Sequence, residues 1–242
     1  MNIEQFNFLG QGSLFDIQQV LLLIAAVVAV VTMVIEIGGR TTKGFSLVPN
    51  LVRWDARSVS TAAIVGAISV ALQPLQIVLI PGVSGISPSK ALAPIFSVLF
   101  GVPGMVGAAF SMPFQDLVGG WFGVSSLGGF LFTWLALCWL PYKMVRDPSF
   151  RNMNSALRYY GIAAILAPVI FSLLIANTLG FFKLMAPEAA FGILIPTIMW
   201  NHGLTALVIA PALLVPLFPR VQAWGLYWRD RVDTAAESPE IT

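Results

Sequence analysis

Long apolar runs separated by short basic or glycine- and proline-rich breaks are the dominant pattern of this chain. The first run, Ile17 to Ile35, follows Glu4 and Asp16 with no Lys or Arg before it. Those are the wrong flanks for a secretory signal, so the run reads as a retained helix. A basic connection with Arg40, Lys43, Arg53 and Arg57 leads to a second run, Ser60 to Ile80, which ends at Pro81 and Gly82. Between Pro88 and Tyr142 the chain is mostly apolar. Gly101, Pro103 and Gly104 break it early, and Gly119, Gly120 and the stretch Gly123 to Ser126 break it late. Segments near 88–101, 103–121 and 126–142 result, the first of them short. Two more, 158–180 and 190–217, follow the basic connection Lys143, Arg146, Arg151 and Arg158.

Seven crossings are therefore expected, since a span takes ~20 residues. Charge supports the count. With the N-terminus outside, eleven of the 13 Lys and Arg residues fall on inward segments, including Arg220, Arg229 and Arg231, and only Lys90 and Lys183 fall outside. Two crossings in 88–142 would send one basic cluster to the wrong side. The expected fold class is an all-α, polytopic membrane helix bundle. It divides into a tail, helix and basic connection at 1–52, a six-helix membrane domain at 53–220 and a cytoplasmic tail at 221–242.

Composition agrees with this reading: of 242 residues, 57% are hydrophobic and 10% charged, against the roughly 25% charged of soluble domains. A soluble enzyme, a nucleic-acid-binding module and a disulfide scaffold are excluded. Cys138 is the only cysteine, which removes an intramolecular disulfide and a Cys-rich metal site. No P-loop, dinucleotide fingerprint, GxSxG or HExxH pattern is present, so no catalytic residue is assigned and no cofactor is expected in this chain.

Small residues mark helix faces. Ala63, Ala67 and Ala71 recur every four residues on the second run, a spacing that lets another helix approach closely. Gly104, Gly107 and Ala108 do the same on the fourth and are expected to pack within the chain.

Polar residues inside the runs are few and costly. Gln115 and Asp116 lie past the middle of their helix, Gln73 and Gln76 near the outer end of the second, and Asn177 near the outer end of the sixth. On the seventh, Thr197, Trp200, Asn201 and Thr205 share a face, with His202 turned about 100° from Asn201. These positions converge on the outward half of the bundle, as a pocket for a small polar ligand requires. Gln73, Gln76, Gln115, Asp116, Asn177, Trp200, Asn201 and His202 are the candidate ligand contacts. Helix-to-helix hydrogen bonding is the alternative role. Trp121 lies near the proposed mouth, and the loop Gly82 to Lys90 is a candidate lid. A transition-metal site is not expected, because one His and a distant Asp supply too few ligands.

The lead-in RWDARS, the Ala-x-x-x-Ala helix, the loop ending SPSKALAPIFSVLFG, the segment GVPGMVGAAFSMPFQDLVGG and the following GGFLFTWLALCWLPYKMVR together resemble the substrate-binding S components of energy-coupling factor vitamin transporters. The resemblance covers about residues 53–218. It implies a six-helix subunit in a prokaryotic cytoplasmic membrane that captures a micronutrient from outside and docks on a transmembrane coupling subunit driven by two ATPases. By similarity, Ala63, Ala67 and Ala71 would form the docking face, and ligand would sit beneath the loops after Ile80, Gly120 and Gly180. The helix at 17–35 is an addition to that pattern, and the absence of an N-terminal Met-His pair speaks against nickel or cobalt as substrate. A stand-alone permease or scaffold, or an enzyme using Asp116 and His202, are the competing readings.

Overall fold

The computed structural model describes residues 13–41, 47–49, 52–80, 84–86, 88–120 and 122–231. It is an all-α membrane helix bundle. Helix α1 spans Ser13–Gly38, α2 Ala56–Ala71, α3 Leu92–Phe100, α4 Val102–Phe110, α5 Met112–Gly119 and α6 Ser125–Phe132. A π-helical stretch, Thr133–Trp139, joins α6 to α7, Leu140–Met144. Then α8, Met153–Tyr159, runs through π-helical Tyr160–Leu166 into α9, Ala167–Phe181. Finally α10, Pro187–Ala189, runs through π-helical Ala190–Leu194 into α11, Ile195–Ala223. Helices α4 and α5 run on through Ser111, whose backbone is helical, so the described residues form seven helical rods.

Four of these rods are long and apolar enough to cross a membrane: 18–38, 56–75, 153–181 and 190–231. Large apolar side chains point outward along them, among them Val27 and Val34 on α1, Ile64 on α2 and Val208 on α11, as lipid contact requires.

The second apolar run does not stay helical to Ile80. Pro74, which lacks a backbone N–H, sits in a 3-10 turn at Gln73–Leu75. Beyond it, strand β3, Ile77–Ile80, pairs antiparallel with β4, Ser84–Ile86. The β-branched Ile77, Val78 and Ile80 suit that extended pairing. The short strands Gly39–Thr41 and Leu47–Pro49 form a similar pair after α1.

Each π-helical stretch ends two residues before a proline: Pro141, Pro168 and Pro196. A proline ring clashes with the carbonyl four residues back, and the wider π turn relieves that clash without ending the rod.

Helix α3 is the centre of the bundle. Every residue from Ser89 to Leu99 is buried, and with the 3-10 turn Pro88–Ala91 ahead of it the segment is only about 20 Å long at ~1.5 Å per residue. It turns into α4 through one residue, Gly101, whose φ of 62° is open to glycine and whose missing side chain leaves room for Trp228, 2.8 Å from where a Cβ would stand. The Trp228 indole N–H then donates to the Val98 carbonyl at 3.0 Å, satisfying one of the acceptors that a helix C-terminus leaves open.

Gly104 and Gly107 pack within the chain, as expected. A Cβ on Gly104 would lie 2.2 Å from the Phe96 oxygen, and one on Gly107 would lie 2.4 Å from the Ala62 oxygen. That contact seats α4 between α3 and α2. It uses the Ala62, Val65 and Gly66 side of α2, so Ala63, Ala67 and Ala71 are left exposed on the other side.

Lys143, Arg158, Arg229 and Arg231 gather at one end. Trp54 donates to the Ile37 carbonyl at 3.0 Å, Lys143 pairs with Glu36 at 2.5 Å, and Arg158 donates to the Met144 carbonyl at 3.0 Å. Arg229 donates to the Tyr142 and Val145 carbonyls, and Arg231 lies 3.7 Å from Asp55. These contacts bring the end of α1, the start of α2, the α3–α4 turn, the end of α7 and the end of the described chain together.

Candidate functional site

A cavity lies where α2, α3, α4, α5, the 133–139 stretch and α11 meet, at the N-terminal end of the central helix. Its polar lining is Ser69, Ser89, Lys90, Gln115, Thr133 and His202, set in a wall of small and apolar residues that includes Ala93, Met112 and Leu137. The cavity volume is about 10 Å3, room for about one water molecule and far below the roughly 300–1,000 Å3 of sites that take drug-sized ligands.

Three buried polar atoms on this lining have no protein partner: Gln115 Oε1, Thr133 Oγ1 and His202 Nδ1. Their residues are 3%, 1% and 6% exposed. Buried polar groups nearly always find a partner, and leaving one without costs about 1–3 kcal/mol. Convergence of three such atoms on one cavity marks a place shaped for something besides the chain itself.

Local structure explains why each atom is open. Helical hydroxyls commonly turn back to the carbonyl four residues earlier. Ser69 does so toward Val65 at 2.8 Å, Thr178 toward Leu174 at 2.8 Å and Thr197 toward Ile193 at 2.7 Å. Thr133, at the first position of a π-helical stretch, does not, and lines the cavity instead. His202 contacts the Lys90 backbone through a hydrogen bond, so with Nδ1 open the bond belongs to Nε2. Its ring meets Phe171 edge-on, with centroids 5.0 Å apart. Gln115 donates Nε2 to the Ser111 hydroxyl at 2.9 Å, and that hydroxyl in turn donates to the Ala108 carbonyl at 2.7 Å.

Lys90 is 8% exposed at the N-terminal end of the central segment. Asp116 is the carboxylate that acts on it electrostatically. The two are not in ion-pair contact, and Asp116 is held instead beside Ser126, with Gly129 of α6 against its carboxylate.

The sequence-expected residues do not all reach the cavity. Gln115 and His202 line the cavity. Gln73 and Gln76 stand behind it as a relay: Ser89 donates to Gln73 Oε1 at 3.0 Å, and Gln73 Nε2 donates to Gln76 Oε1 at 2.6 Å. Asp116 acts on it through Lys90. Asn201 is buried beside His202 but is not part of the lining.

Asn177 and Trp200 lie elsewhere. Asn177 returns its amide N–H to the Leu173 carbonyl of its own helix at 2.7 Å. Trp200 is 61% exposed, because the buried stripe of α11 is Ile198, Asn201, His202 and Thr205 rather than the expected face with Thr197 and Trp200. Trp121 and positions 82, 83 and 87 of the candidate lid lie outside the described residues.

Lys90, Ser69, Ser89 and Thr133 are the lining residues that sequence reasoning passed over. Lys90 carried a legible signal as an isolated charge at the edge of an apolar run. No cluster of three or more His, Cys, Asp or Glu residues that could hold a metal ion occurs among the described residues.

The fold and site define a helical membrane protein with a small polar cavity at its core. The chain has no match among protein-family models, curated proteins or solved structures.

Proposed function

We propose that this chain is the membrane-embedded substrate-capture subunit of a transporter that takes up a vitamin-like micronutrient, with a separate ATP-driven module supplying energy. The observation that carries this reading is the buried cavity lined by three unpartnered polar atoms and a lysine. A solute pathway needs such groups at membrane depth, where they are otherwise costly. The chain itself carries no nucleotide-binding motif, so energy would come from a partner.

In this reading the basic end faces the cytoplasm, following the positive-inside rule, and the cavity opens toward the opposite side. The β3–β4 pair, whose strand β4 packs on α11, is the segment that would move outward to admit a solute larger than the present cavity. The exposed Ala63, Ala67 and Ala71 face is the docking surface for the coupling subunit. Small side chains there allow a partner helix to approach closely.

Native mass spectrometry of the protein purified gently in detergent tests the proposal. A stoichiometric small-molecule adduct that is lost on Gln115→Leu is expected. A bare chain that stays bare across a panel of water-soluble vitamins overturns it.

A further inference from the structure

The open polar atoms of the cavity can be sorted into donors and acceptors. The Ser111 hydroxyl has one proton, and the Ala108 carbonyl takes it. The Gln115 amide must therefore give its N–H to Ser111, which leaves Oε1 as the open atom and makes it an acceptor. His202 uses Nε2 on the Lys90 backbone, and a neutral imidazole that donates through Nε2 has an acceptor at Nδ1. The Thr133 hydroxyl gives its proton to no protein atom and is free to donate. The three open atoms thus amount to two acceptors and one donor.

They belong to α5, the 133–139 stretch and α11, and their residues line one volume of about 10 Å3, room for about one water molecule. A water molecule has two protons to give and a lone pair with which to receive a third hydrogen bond. It matches both the size and the count. Buried waters typically make about three hydrogen bonds to groups that would otherwise have no partner. Ala93, Ala108, Met112 and Leu137 form the apolar part of the wall.

We infer that the cavity binds a single structural water. It donates to Gln115 Oε1 and to His202 Nδ1 and accepts from the Thr133 hydroxyl. In this way it ties together three elements that these atoms do not join directly. The site is a property of the closed bundle and does not depend on the capture reading.

Hydroxyl-radical footprinting of the unaltered full-length chain by X-ray pulses tests this, read by mass spectrometry after rapid mixing into heavy-oxygen water. Radicals form from the water bound beside a side chain. Met112 and His202 are therefore oxidised although buried, whereas Met105, buried in the core and not part of the lining, is not. The heavy-oxygen label reaches Met112 and His202 later than it reaches the exposed Met153. Met112 and His202 as silent as Met105 would mean a dry cavity. Label arriving there as fast as at Met153 would mean an opening to bulk solvent. Either result overturns the assignment.

Thr133→Val, which keeps a similar shape and removes the hydroxyl, tests it again by the sign of its effect. Taking a partner from a bound water lowers the unfolding midpoint, whereas removing a buried hydroxyl that had no partner raises it. A raised midpoint overturns the proposal, and the footprint decides where the variant fails to fold.

Discussion

Lys143 and Glu36 meet at 2.5 Å although 107 positions separate them in the chain, and the Trp139 indole N–H donates to the same carboxylate oxygen at 3.2 Å. The first helix presents mostly apolar side chains to its surroundings, so this clamp, with Trp134 donating to the Thr32 hydroxyl, sets its rotation and depth against the rest of the bundle. Glu36 is 1% exposed, and removing its partner leaves a buried carboxylate uncompensated. Lys143→Ala is expected to destabilise the protein by about 3–5 kcal/mol, read as a lower unfolding midpoint. Replacing both residues with Leu restores most of that loss. A double variant as unstable as the single one would show that the pair does more than neutralise itself.

The α2–α4 contact has no room for a side chain at Gly107. Gly107→Ala is expected to force the two helices apart and lower the midpoint sharply. Gly161→Ala, where nothing lies within 4 Å of the new methyl, should be neutral or gain up to about 1 kcal/mol from helix propensity. Similar effects from the two substitutions would remove the case for close packing at Gly107.

On the exposed face of α2, Ala67→Trp adds bulk away from both the core and the cavity. Uptake in cells is expected to fall to background while ligand binding by the purified chain is unchanged. Loss of binding in a folded variant would mean that this face is coupled to the cavity rather than reserved for a partner.

Asp55 caps α2 by accepting the Ser58 backbone N–H at 2.8 Å, and that bond, together with the Ser58 hydroxyl, holds its carboxyl below the usual carboxylate range. A lowered value means that the folded state favours the ionised form. The cap's contribution is thus present above the ordinary Asp pKa of about 3.9 and is lost as pH falls through the depressed value. The midpoint difference between the parent protein and Asp55→Ala should be largest near neutral pH and shrink in strong acid. A difference that is flat with pH would assign the cap a purely neutral role.

Rod positions were legible because apolar length and glycine–proline punctuation report on lipid and turns directly. The breaks at Gly101 and Gly119–Gly120 fall where helices end, and Gly104 and Gly107 pack as their spacing implies. What hydropathy could not show was conformation within an apolar stretch. Ile77 to Ile80 is as apolar as a helix end yet pairs as a strand after Pro74. For the candidate site, Gln115 and His202 were readable as polar residues in apolar runs. Trp200 was misplaced because the buried stripe of α11 centres on Ile198, Asn201, His202 and Thr205, so the residue before Asn201, about 100° round the helix, lies at the outer edge of that face. Thr133 carries no mark in sequence that separates it from the hydroxyls that bond back to their own helix, Ser69 among them.

The central segment 88–100 touches protein on every side and is too short to reach across ~30 Å of hydrocarbon. Such a segment, with a lysine at its start, is a poor candidate for release into lipid on its own during synthesis. Its surroundings are supplied by helices encoded both before and after it, including Trp228 near the end of the described chain. Because His202 of the final rod is part of the cavity's lining, the cavity is complete only once that rod has packed against this segment. A truncated chain that lacks the final rod is expected to insert its outer helices and still have no closed cavity.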